Sequence, residues 1–301
     1  MGLFYTYLGA VDLGLIWGFL ALGVYITFRL LDIADLTVDG SFATGGAICA
    51  VCVLHGVHPL LAIVAAIISG FIAGAITGIL HTKCKIPAIL AGILTQIGLY
   101  SINLRIMSGR ANLPLTTANT LSLQINKYYI ALIISLIFVI IFIGLLYWFF
   151  GTEIGSSIRA TGNNEQMARA LGINTDTMKL LGLMISNGLV GLSGGLYALY
   201  GQATDVRVGT GAIVIALASI VIGEVIFSGK KGGFCLRLVS IVIGSIIYRV
   251  IVAVVLQLGL NTDDLKLLTA IIVAIALTIP IMISKRKQVS LYKKLTGKEL
   301  D

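Results

Sequence analysis

The stretch Glu153 to Leu183, EIGSSIRATGNNEQMARALGINTDTMKLLGL, is the one long polar island in a chain that is otherwise almost entirely apolar. Its centre, Asn163 to Ile173, is predicted to be a short helix: Asn163 or Asn164 caps it, Glu165 sits in the first turn and Gly172 ends it. Arg159, Arg169 and Lys179 place the island on the cytoplasmic side of a membrane. A short amphipathic helix held there, with a knob made of Met167, Ala168, Ala170 and Leu171, suits docking into a groove on a soluble partner.

The residues around the island set the class. With 58% hydrophobic and 11% charged residues in 301 positions, and a mean hydropathy of +1.03, the chain reads as an all-α polytopic transmembrane bundle. A bilayer core about 30 Å thick needs roughly 20 apolar residues per helix. The runs Val57–Leu80, Ile86–Leu104, Tyr128–Phe150, Leu180–Thr204 and Leu267–Ser284 meet or approach that length. Less clean segments lie at Leu8–Phe28, Asp39–Leu54, Thr210–Ser228 and Phe234–Leu256, so eight or nine segments are expected, depending on whether one within Leu8–Leu54 only re-enters. Residues 1–284 then form one membrane domain, with a cytoplasmic loop at 151–178 and a basic cytoplasmic tail at 285–301.

Cytoplasmic loops collect Lys and Arg. With the island inside, fifteen of the twenty-one Lys and Arg residues fall on the cytoplasmic side, and the C-terminus lies inside. The net charge of +8 follows from this topology and from a tail suited to anionic lipid headgroups; nucleic acid is not an expected partner. The first residues lack a basic n-region and a small-residue cleavage site, so no cleaved leader is expected. Cys49, Cys52, Cys84 and Cys235 have no companions at ligand spacing, and no metal is expected.

The sequence holds no G-x-x-x-x-G-K-[S/T] loop to cradle phosphate, and His55, His58 and His81 stand apart from any nucleophile or paired carboxylates. No catalytic residue and no cofactor is expected; the chain reads as a protein that is not itself an enzyme. If the chain moves a solute against a gradient, the energy must come from a separate ATPase, which the island would contact, or from an ion gradient, which Asp12, Asp39 and Glu224 would sense.

Polar groups inside the apolar segments are the remaining candidates. Leu36 to Gly46 sets Asp39, Gly40, Ser41 and Thr44 between two apolar segments, as in a broken helix beside a substrate route, or as an interfacial cap with Asp39 or Ser41 at the N-cap. Gln96 and Asn103 could line the same route, and with Asn187 could equally bond helix to helix. Glu224 and Arg249 are the charges deepest in the spans. Glu224 is expected to pair with Lys230, Lys231 or Arg237; Arg249 would brace the bundle through carbonyls or Asp12, or meet a substrate carboxylate. Ser69, Gly70, Gly74 and Gly78 form a small-residue face for close helix packing, and Gly188, Gly191, Gly194 and Gly195 repeat the bias. Arg105–Asn126 and Gln202–Gly211 read as outer loops.

The island, with IADLTVDGSF at Ile33–Phe42, LYSINLRIMSGRANLP at Leu99–Pro114 and DDLKLLTAIIV at Asp263–Val273, resembles the permeases of ABC importers that carry branched-chain amino acids, ribose and related solutes, leaning toward the tryptophan/tyrosine branch. The Ile-x-Leu-Pro of other importer permeases does not follow Gly172. The resemblance implies that Asn163, Asn164, Met167, Ala168, Ala170, Leu171 and Gly172 form a coupling helix against a cytoplasmic ABC ATPase, which binds the ATP. It places Asp39 and its neighbours on the translocation pathway. It further implies a second copy of the chain, an extracytoplasmic substrate-binding lipoprotein, and a small amino acid, nucleoside or sugar as cargo. An ion-coupled carrier and a non-transporting scaffold are the alternatives.

Overall fold

The computed structural model describes residues 2–115, 128–227, 233–258 and a few positions between 267 and 278; the tail and most of the predicted Leu267–Ser284 segment lie outside the described residues. The order is α1 (Gly2–Tyr25), continued by a π-helical turn at Ile26–Leu30, then α2 (Thr37–Leu54), α3 (Pro59–Thr82), α4 (Ala88–Ile106), β1 (Asn112–Pro114) and α5 (Tyr128–Gly151). After these come α6 (Glu153–Asn163), α7 (Glu165–Ala170), α8 (Thr175–Gly201), β2 (Ala203–Asp205), α9 (Ala212–Phe227) and α10 (Phe234–Gln257). Among the described residues, seven helices are long and apolar enough to cross a membrane, and α9 is a shorter apolar helix. The all-α polytopic bundle expected from composition is the observed fold. At 16 residues, α9 spans about 24 Å at 1.5 Å per residue, less than a bilayer core.

Glycines fix the centre of the bundle. A Cβ at Gly70 would collide with the Asn187 carbonyl, one at Gly74 with the Leu183 carbonyl, and one at Gly45 with the Gly191 carbonyl. The small-residue face of α3 therefore lies backbone to backbone on α8, where Gly191 makes room for the Ala66 carbonyl, and Gly194 lets α2 approach from the other side. As Gly70 and Gly74 meet Asn187 and Leu183, α3 and α8 run antiparallel; as Ser41 bonds Asn187 and Gly45 meets Gly191, α2 and α8 run parallel. Gly70 stands midway along α3, so the N-terminal end of α2 begins near the middle of the bundle. The helix does break before Asp39: the chain leaves the π turn at Leu31, crosses Asp32 in the left-handed region (φ 55°) and restarts at Thr37.

Outside the helices, β1 and β2 pair antiparallel with Leu113 opposite Thr204, an element that the sequence does not announce. The core is aliphatic around Phe19, Leu20, Leu22 and Leu192, and an aromatic cluster joins three helices through Trp17–Phe42 (5.1 Å) and Phe42–Tyr197 (5.6 Å).

Candidate functional site

The restart of α2 builds the site. Asp39, in its first turn, does not cap its own helix; its carboxylate accepts hydrogen bonds from the Gly211 N–H (2.8 Å) and the Ile213 N–H (3.1 Å), at the first turn of α9. Those donors have no partner within their helix, and the positive end of the helix dipole favours a carboxylate. Gly209 packs so closely on the Asp39 carbonyl that no Cβ would fit. Thr204, in turn, lies against Gly46. The segment that reads as an outer loop thus descends along α2 from Gly46 to Asp39, about 10 Å on a helix rising 1.5 Å per residue. Re-entry of irregular backbone is tolerated where protein covers it, and here the Asp39 side chain and the β1–β2 ladder pair backbone groups of the segment, while the buried Thr204 hydroxyl has no partner.

Between this loop, α2 and α4 lies a cavity of about 520 Å³. Asp39, Gly40, Gln96 and Asn103 line it together with Ala43, Ile97, Tyr100, Ser101, Val206, Arg207 and Thr210. The structure therefore brings together four of the six residues that the sequence places on a pathway. Ser41 and Thr44 face elsewhere: the Ser41 hydroxyl donates to Asn187 Oδ1 (2.6 Å), and the Thr44 hydroxyl donates to the Gly40 carbonyl one turn back (2.9 Å). Alternation around the helix separates them from the cavity side. Asn103 is 1% exposed, and neither its Oδ1 nor its Nδ2 has a hydrogen-bond partner. A buried amide left so costs about 1–3 kcal/mol per unpaired group. Tyr100 and Arg207 were not among the pathway residues; the descent of the loop, which brings Arg207 to α4, leaves no local trace in the sequence.

Behind the cavity runs a second polar layer. Asn187 Nδ2 donates to Asp35 Oδ2 (2.7 Å) and to the Leu183 carbonyl (2.9 Å), while the Thr37 N–H donates to Asp35 Oδ1 (2.9 Å). The Thr37 and Thr77 hydroxyls lie 2.7 Å apart, and Thr77 donates to Thr95 (2.9 Å). These bonds tie the linker before α2 to α3, α4 and α8, which gives Asn187 the helix-bonding role rather than a lining one.

The island resolves into two helices. Thr152 Oγ1 accepts from the Gly155 N–H (3.3 Å) to start α6, and Asn164, extended between the two, accepts from the Met167 N–H (3.0 Å) to cap α7. Asn163 ends α6 instead of capping α7. Gly172 has φ +81°, the left-handed stop expected of it. Met167 (59%) and Leu171 (68%) are exposed and Ala170 with them, but Ala168 is 1% exposed. Ala168 is thus not part of the knob: its methyl points inward, one helical position from the outward face. Glu165 holds α7 in place by accepting from Lys179 Nζ (2.7 Å), Arg169 (2.8 Å) and Thr175 Oγ1 (3.2 Å). The hydrogen bond from Lys179, followed by the charges of Lys179 and Arg169, keeps its carboxyl below the usual range. Asp176 adds Lys85 (3.1 Å) and Arg169 (3.5 Å), joining the α3–α4 turn to the island. Gly162 of α6 lies against the Leu30 carbonyl and Gly182 of α8 against the Leu31 side chain, so the island touches the linker that leads to Asp35 and Asp39.

The intramembrane charges find partners other than those expected. Glu224 pairs with Arg29 at the end of the π turn, because α9 packs along α1; Lys230 and Lys231 lie outside the described residues. Arg249 stacks its guanidinium 4.0 Å over the Trp17 ring and lines a separate cavity of about 500 Å³ between α1 and α10.

The model of the family described as branched-chain amino acid transport system / permease component matches residues 7–279. The tyrosine transport system permease protein of Clostridioides difficile (strain R20291) is 43% identical over 86% of each chain. The ribose import permease protein RbsC of Escherichia coli (strain K12) is 27% identical over 77% of each. No solved structure matches.

Proposed function

Because the chain belongs to the family of branched-chain amino acid transport system permease components, we propose that it is the membrane-spanning subunit of an ABC importer that carries an amino acid, most closely an aromatic one, into the cytoplasm. The observation that carries this reading is the island between α5 and α8: a capped helix, fixed by three partners of Glu165, that presents Met167 and Leu171 to solvent. Such a knob fits a groove on a cytoplasmic ATPase subunit, which would bind the ATP. A motion imposed there reaches the Leu30–Leu31 linker through Gly162 and Gly182, and from there the start of α2 beside the cavity. A substrate-binding lipoprotein would deliver cargo from outside, and a second copy of the chain would complete the translocation route along α4, which exposes Ile89, Leu90 and Leu94. On this reading the C-terminal tail is cytoplasmic and the remaining apolar surface meets lipid.

The choice of cargo follows the tyrosine transport relative, which is more similar than the ribose relative. The ion-coupled alternative draws no support from Glu224, which is engaged by Arg29. The test is reconstitution of the chain with its ATPase in proteoliposomes. ATP-dependent uptake of tyrosine in the presence of the binding protein is expected; uptake that survives without ATP would overturn the reading.

A further inference from the structure

The cavity between α2, α4 and the descending loop holds opposite charges that do not neutralise each other. Asp39 and Arg207 both line it, and among the described residues no ion pair joins them. Asp39 uses one lone pair of each oxygen on an α9 N–H, so each oxygen keeps an accepting position. Beside them Asn103, 1% exposed, offers an amide donor and an amide acceptor with no protein partner. Buried polar groups are almost always paired, and an orphaned amide on a cavity wall points to a ligand that pairs it. Ile97, Tyr100 and Val206 give the wall its larger apolar and aromatic side chains, beside the polar Gln96, Ser101 and Thr210. At about 520 Å³ the space lies in the range of small-molecule sites, about 300–1,000 Å³.

Resting on the permease reading above, we infer that this cavity holds a zwitterionic amino acid during transit. Arg207 meets the α-carboxylate, Asp39 and the Asn103 amide oxygen meet the α-ammonium, and Ile97, Tyr100 and Val206 lie along the side chain. A sugar has neither charge, so the pair would select amino acids within the permease itself, apart from any choice made by a binding protein.

The test reads the cavity without the binding protein. In the purified permease–ATPase complex with Cys84→Ser and Cys235→Ser, Ser101→Cys places a thiol on the cavity wall, and its rate of maleimide labelling is followed against added L-tyrosine, tyramine, 3-(4-hydroxyphenyl)propionate and ribose. L-Tyrosine is expected to protect; tyramine, lacking the carboxylate, and the propionate, lacking the ammonium, are each expected to protect about tenfold more weakly, since each loses a charge-assisted contact. Ribose is expected to leave labelling unchanged. Arg207→Gln should erase the preference for tyrosine over tyramine while keeping the preference over the propionate. Equal protection by all three aromatic probes, no protection by any, or an unchanged preference in the Arg207→Gln complex would overturn the inference. Wild-type complex assayed in parallel separates the two readings: ATP-driven tyrosine uptake without selective protection removes the cavity site alone, whereas absence of amino-acid uptake removes the transport reading and this inference with it.

Discussion

The Asp39 carboxylate and the Gly211 N–H, 2.8 Å apart, join the start of one helix to the start of another from the far half of the chain. The contact caps the first turn of α9 from outside its own segment. Loss of such a cap costs about 0.5–2 kcal/mol. Asp39→Ala is therefore expected to lower the melting temperature of the detergent-purified protein, and Asp39→Asn, which keeps one acceptor oxygen, to lower it less. Equal effects from both would mean that charge, not capping, is what α9 requires.

Packing gives a prediction with a built-in control. Gly70→Val forces atoms into the Asn187 carbonyl of α8, and overpacking of this kind costs about 1–3 kcal/mol. Gly144 lies in α5, where an added Cβ would have nothing within 4 Å, so Gly144→Ala meets open space and removes a poor helix former, worth about 1 kcal/mol in a helix interior. Fluorescence-detected size-exclusion after heating should show Gly70→Val aggregating well below the wild type and Gly144→Ala no earlier than it.

How much of this was legible in the sequence depends on how far apart the partners lie. The long apolar runs that end by Thr204 gave their helices within about five residues, and Gly70, Gly74 and Gly78 announced their packing because a helix repeats on itself at that spacing. The Glu165–Arg169 pair was readable for the same reason, at one helical turn. The Asp39–Gly211, Glu224–Arg29 and Lys85–Asp176 contacts were not, because each is decided by which helices become neighbours. A short polar segment after Gly201 has the same composition whether it stays outside or descends along α2. The sequence reads a segment over Thr210–Ser228, and the shorter α9, Ala212–Phe227, emerges only in the structure.

Acid should loosen the island at a defined point. The Glu165 carboxyl is held below its ordinary 4.5 chiefly by Lys179. A depressed folded-state value contributes stability that is present above the unfolded value and is lost as pH falls through the folded one. Amide protection across Asn164–Lys179, measured relative to the intrinsic exchange rate at each pH, is thus expected to stay high down to about pH 4.5 and to fall below it. Glu165→Gln should raise exchange at neutral pH and flatten the acid response. A wild-type profile that loses protection already at pH 6 would show that another group holds α7.

Docking of the island is the prediction with most at stake for function. Met167 and Leu171 are the exposed apolar side chains of α7 and its C-cap, and burial of a Leu side chain is worth roughly 1.5–3 kcal/mol. Leu171→Asp removes that contribution and places an unpaired charge in the interface, so association with the ATPase should weaken at least about tenfold, which corresponds to about 1.4 kcal/mol. Gly172→Val should act by another route: its φ of +81° is a conformation that a β-branched residue resists, at a cost of about 1–2 kcal/mol, so the chain would leave α7 at a different angle. Ala168→Asp, by contrast, should disrupt the fold of the island itself, because that methyl is buried. Co-purification with the ATPase and substrate-stimulated ATP hydrolysis separate these cases: Leu171→Asp should lose both while retaining the wild-type melting temperature, and Ala168→Asp should lose stability as well. A Leu171→Asp protein that keeps full association and full stimulated hydrolysis would remove α7 from the interface and leave the ATPase to dock elsewhere on the cytoplasmic face.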